Sequence, residues 1–146
     1  MPFKESTQII EEHMSEVVEK HQNDNTIGFA HSISADYDNL QQMSAGVAVV
    51  FRKYFGRPKL PQRVTNHLAH QNNHRGAAVY SLITKSTYYG KPTIQDYDTA
   101  FKDLTIDFKR KGLKHLICSP IGTVRDLIQL DHLVANLKTF HQYTNA

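Results

Sequence analysis

The stretch AAVYSLITK, residues 77–85, constrains the fold of this chain more than any other. Six of its first seven residues are Ala, Val, Tyr, Leu or Ile, the pattern of a β-strand covered on both faces. The run then stops at Thr84 and the amino group of Lys85. A solvated strand end and a positioned cation or nucleophile are the two readings of that stop.

The flanking segments alternate in period. Ile9, Ile10, His13, Met14, Val17 and Val18 form a helical stripe with Glu11, Glu12, Glu16 and Glu19 opposite, which predicts a helix over residues 7–20. TIGFAHSIS, 26–34, reads as a short strand, and the polar ADYDNLQQ as a loop. Val47, Val50, Phe51 and Tyr54 share a helical face that stops at Gly56. RVTNHLAHQ fits a strand or a short helix, and the turn-rich QNNHRG favours a hairpin into the strand at 77. Pro92 opens a helix with inner face Ile94, Tyr97, Phe101, Leu104 and Phe108, capped by Gly112. LKHLICSP is a strand, IGTVRD a loop, and Leu130, Leu133, Val134, Leu137 and Phe140 line a last helix. Strands alternating with helices predict a single domain over 1–146 with a three-layer α/β fold. In such folds ligands sit outside the carboxyl ends of the strands, where Ser34, Lys85 and the IGTVRD loop lie.

Composition narrows the function classes. The lone cysteine, Cys118, excludes an internal disulfide and suits a reducing compartment, so a cytosolic or nuclear protein is expected. MPFKESTQII is followed by EEHMSEVVEK rather than by an apolar signal-peptide core, and no apolar run is long enough to span a bilayer. The net charge of +3 is mild, and its basic groups, Arg52 to Arg63 and Lys109 to Lys114, read as solvated helix ends. With no nucleic-acid motif present, nucleic acid is not an expected partner. His67, His70 and His74 have spacings that align on a helix, yet lack the Glu of an HExxH site, so hairpin or solvated histidines are expected and no metal. Cys118 and His115 fall on opposite faces of a strand, which makes the thiol a small buried group. Tyr88 and Tyr89 are either an exposed aromatic pair or a platform for a base.

Topology brings three loops together: SISADYDNLQQMSAG, TKSTYYGK and PIGTVRD. Singly, each has a bland explanation. Ser44 is an N-cap, Asp126 a capping carboxylate, and Lys85 a strand end. Jointly, FAHSIS, SAGVAVVFRKYFG, VYSLITKSTYYGKPT and PIGTVRD resemble the macro domain, in the branch of terminal ADP-ribose protein glycohydrolase, which also deacylates O-acetyl-ADP-ribose. The likeness spans about residues 26–140, leaving residues 1–25 as a divergent N-terminal helix.

The resemblance implies a hydrolase acting on ADP-ribosyl esters, with ADP-ribose or an ADP-ribosylated protein as partner and no cofactor. It places Lys85 as the amine that attacks the distal ribose and Asp126 as the carboxylate assisting release. Ser34, Ser44, Ala45, Gly46, Val47, Thr84, Gly122, Thr123, Val124 and Arg125 are the implied ligand-binding residues. The alternative is a non-catalytic macro-like module that binds ADP-ribose or a related nucleotide, or a degenerate interaction domain. The chain departs from the pattern at both ends: EEHMS stands where the family has a first strand leading to Gly-Asp, and TFHQYTNA where it has a last strand. Val124 occupies the second glycine of the second phosphate loop, and ADYDNLQQM is longer than the usual connection. A sheet trimmed of its terminal strands, with the bared edge covered by the N-terminal helix or a second subunit, is therefore expected, and with it a homodimer.

Overall fold

The apolar run beginning at Ala77 is a strand buried along almost its whole length, as a two-sided hydrophobic sequence requires. The computed structural model describes residues 8, 11–36, 47–72, 76–87, 89–123 and 126–146. In them the strands are β1 (Ile27–Ser34), β2 (Arg63–Thr65), β3 (Leu68–Asn72), β4 (Ala78–Lys85) and β5 (His115–Cys118). The helices are α1 (Met14–His21), α2 (Val47–Phe55), α3 (Ile94–Arg110) and α4 (Leu130–Thr144). The strands form one mixed sheet in the order β2-β3-β4-β1-β5. β1 is parallel to both neighbours, and β3 runs antiparallel to β2 and β4.

Alternation along β1 and β4 sends side chains into two separate cores. Tyr80 and Leu82 meet Tyr97, Phe101, Leu104, Phe108 and Phe140 under α3 and α4. Phe29, Ile33, Val79 and Ile83 meet Val17, Val18 and Phe51 under α1 and α2. The protein is thus the three-layer α/β/α domain that the macro-like pattern implies. Gly28 explains itself in this packing, since a Cβ there would lie 3.0 Å from the Phe108 ring. Among the described residues no strand precedes β1 or follows α4, so β5 ends the sheet. No described helix is long and apolar enough to cross a membrane.

Two expectations change and one open reading is settled. The first helix begins at Met14, because His13 is extended and residues 11–13 are not helical; of the described stripe residues Val17 and Val18 are buried and Met14 packs partly against the same core. Ile9 and Ile10 lie outside the described residues. A helix gains most of its stability from packing, and the exposed His13 finds no surface to extend it. The ambiguous RVTNHLAHQ is the β2–β3 hairpin, since the edge of β4 supplies backbone partners that a free helix would lack. Finally, Ile94 and Leu130 fit the inner-face spacing but are 49% and 62% exposed, being the first residues of α3 and α4.

Candidate functional site

β1 leaves the sheet toward α2 on one face, whereas β4 leaves toward α3 on the other. Two adjacent parallel strands whose exits diverge leave a crevice at their carboxyl ends, the usual ligand position in open α/β sheets. Ser34 and Lys85 are paired in register at that point, with a bulge between Ile33 and Ser34. The Ala35 amide donates to the Lys85 carbonyl at 2.8 Å, which ties the two strand ends together.

Into this crevice the β5–α4 loop brings a carboxylate. Lys85 Nζ donates to Asp126 Oδ1 at 2.8 Å, with the two side chains 14% and 8% exposed. β5 lies on the far side of β1 from β4, so the pair joins the segments that follow the two neighbours of β1. The preceding residue, Thr84, is 1% exposed, and its Oγ1 has no hydrogen-bond partner among the described residues, an unusual state for a buried hydroxyl. Ser34 is equally buried.

The loop itself is held from below. Tyr97 donates its hydroxyl to the Ile121 carbonyl at 2.7 Å, and burial pushes its phenol above the ordinary range, so it stays a neutral donor. Gly122 has φ +75, and a Cβ there would be 3.1 Å from both Tyr97 and Ile128. The glycine therefore has a structural reason as well as its assigned place in a phosphate loop. Thr123 turns its hydroxyl onto the Pro120 carbonyl at 2.9 Å, and the Ile128 amide reaches the Gly122 carbonyl at 3.0 Å. Leu127 is the anomaly. It follows Asp126 with φ +58 and is 71% exposed, a left-handed backbone that strains a leucine by roughly 1–2 kcal/mol. Nothing in periodicity marks it; the apolar residue beside Asp126 in RDLIQL was the available signal.

Of the residues assigned from sequence, the structure gathers Lys85, Asp126, Thr84 and Ser34 at one end of the sheet and builds Gly122 and Thr123 into the loop carrying Asp126. Val47 is in the first described turn of α2 and packs against the Phe29–Phe51 core. Ser44, Ala45, Gly46, Val124 and Arg125 lie outside the described residues, as does Tyr88. Tyr89 is 79% exposed.

His67 and His70, the described members of the histidine set, do not gather. His67 sits in the hairpin turn, 3.1 Å from Asp96, and His70 stacks on Tyr80, so the spacing that would align them on a helix has no helix to act on. His74 lies outside the described residues, among which no group of three His, Cys, Asp or Glu side chains is placed to hold a metal. Cys118 packs against the α3–α4 core, and burial pushes its thiol up to about 12, which leaves it a poor nucleophile. A groove of about 370 Å³ between α3 and α4, lined by Phe101, Ile106 and Tyr143 among others, includes neither Lys85 nor Asp126.

The arrangement is a largely buried amine–carboxylate pair at the switch point of a three-layer α/β/α sheet. Over 122 residues the chain is 28% identical to ADP-ribose glycohydrolase OARD1 of Homo sapiens, spanning 82% of this chain and 78% of that protein. No family model matches the chain.

Proposed function

We propose that this macro-like domain hydrolyses ADP-ribosyl esters, either ADP-ribose linked to a protein carboxylate or O-acetyl-ADP-ribose. The observation that carries the reading is the Lys85–Asp126 pair, an amine and a carboxylate 2.8 Å apart and nearly closed to solvent. The relative named as an ADP-ribose glycohydrolase supports the substrate class.

An ion-paired ammonium is no nucleophile, so Lys85 must first give a proton to Asp126 or to solvent. Its free electron pair then forms a bond to C1″ of the distal ribose. The bond from C1″ to the ester oxygen breaks, and the carboxylate leaves with that bond's electrons. The second amine proton passes to the ring oxygen O4″ as the C1″–O4″ bond breaks, which gives a protonated Schiff base, the cation Asp126 stands beside. Water adds to its carbon, the nitrogen takes back a proton, and the C–N bond breaks to return Lys85 and free ADP-ribose.

The test is turnover of a peptide bearing glutamate-linked ADP-ribose. Lys85→Ala is expected to lose at least about a hundredfold in rate. A variant as fast as the wild type overturns the reading, and ADP-ribose binding without any turnover would instead make the domain a reader.

A further inference from the structure

We infer that Leu127 and Leu130 form the contact for the leaving half of the substrate, a polypeptide carrying apolar side chains beside the modified carboxylate. The inference rests on the hydrolase reading above and adds the class of ester it prefers.

Leu127 meets two unfavourable conditions at once, a left-handed backbone at φ +58 and an apolar side chain 71% in water. Glycine or asparagine takes that backbone with less strain, and neither would expose a hydrocarbon. The fold does not need the leucine, because the core positions of this segment belong to Ile128 and Leu133, 6% and 4% exposed. Leu127 and Leu130 belong to neither core. A strained, exposed residue directly after a candidate catalytic carboxylate points to a use outside folding.

Its position says what that use is. Leu130, 62% exposed, opens α4 three residues later. Ile94, 49% exposed, opens α3, which lies beside α4 in the same direction: His132 and Asn136 bond to Asp98, and Phe140 meets Phe108 farther along. The exposed apolar residues Ile94, Leu127 and Leu130 therefore stand at the end of the fold where Lys85 meets Asp126. In the proposed reaction Lys85 takes the ribosyl half and the carboxylate departs past Asp126. Whatever carries that carboxylate then lies along the segment following Asp126, where residues 127–130, Leu-Ile-Gln-Leu, hold no charge. An acetyl ester has no side chain to set against these residues, whereas a polypeptide with leucine or phenylalanine beside the modified glutamate has one.

The experiment compares kcat/KM for glutamate-ADP-ribosylated peptides flanked by leucine or by serine, with O-acetyl-ADP-ribose as a substrate that has no peptide. The wild type is expected to favour the leucine-flanked peptide about tenfold. The double variant Leu127→Asn with Leu130→Gln, which keeps a residue tolerant of left-handed backbone at 127, is expected to bring that ratio close to one. Turnover of O-acetyl-ADP-ribose with no preference between peptides, or a preference the variant retains, overturns the contact alone. Failure to hydrolyse any of the three overturns the hydrolase reading, and the contact with it.

Discussion

Lys85 and Asp126, 41 residues apart in sequence, close to 2.8 Å at the carboxyl end of the sheet with little water around either. Removing one partner of a buried pair leaves a bare charge, which costs about 3–5 kcal/mol, whereas replacing both with apolar groups is far milder. Lys85→Met and Asp126→Leu are each expected to lower stability by about 3 kcal/mol in urea unfolding. The double variant should lose clearly less than their sum. Strict additivity would mean that the pair is not energetically coupled.

His31 provides a pH signature independent of function. It is 2% exposed, packed on Phe51, and its Nε2 lies 2.7 Å from Ser81 Oγ. Burial pushes the imidazole down to about 3, so the folded protein keeps it neutral. Between that value and the ordinary 6.5 the unfolded chain binds a proton that the folded chain does not. The contribution is thus fully present above pH 6.5 and is lost as pH falls toward 3. From pH 6.5 to 5 this histidine is expected to withdraw about 2 kcal/mol, measured by urea unfolding, and His31→Leu should remove that part of the slope. An unchanged slope in the variant would refute the assignment.

Gly28 lies in β1 against the Phe108 ring, which would be 3.0 Å from its Cβ. Gly28→Ala is expected to destabilise by about 1–3 kcal/mol through overpacking, despite the better strand propensity of alanine. A neutral or stabilising effect in thermal unfolding would show that α3 yields at this contact.

Much of the fold was legible because its main strands are two-sided hydrophobic runs; AVYSLITK and IGFAHSIS have few other uses. What escaped depended on tertiary contacts. The β2–β3 hairpin exists because β4 offers an edge, which no local period records. Ile94 and Leu130 obey helical spacing but begin their helices, so the expected inner face has nothing to bury them. Buried His31 passed unnoticed among nine histidines, since burial is conferred by Phe51 and not by its neighbours in sequence. Asp107 was likewise invisible as the hub that receives Tyr80 at 2.7 Å and pairs with Arg110 and Lys111, although the acid-to-base spacings of three and four residues were a hint. Topology brought Lys85 and the loop carrying Asp126 to the same end of the sheet; the family resemblance is what joined the two as a pair.

The outer edge of β5 faces no described strand, and a parallel strand left half-paired invites a partner. We propose that a second copy covers it. Light scattering at high concentration is expected to give twice the mass of the 16.7 kDa chain, and a strict monomer there counts against a dimer.

The role of Lys85 as nucleophile is tested most directly by trapping its adduct. Borohydride added during turnover of an ADP-ribosyl ester should reduce the Schiff base, and intact-mass and peptide analysis should then place one ribosyl adduct on Lys85. Steady hydrolysis with no adduct at Lys85, and with full activity in Lys85→Ala, would contradict the mechanism.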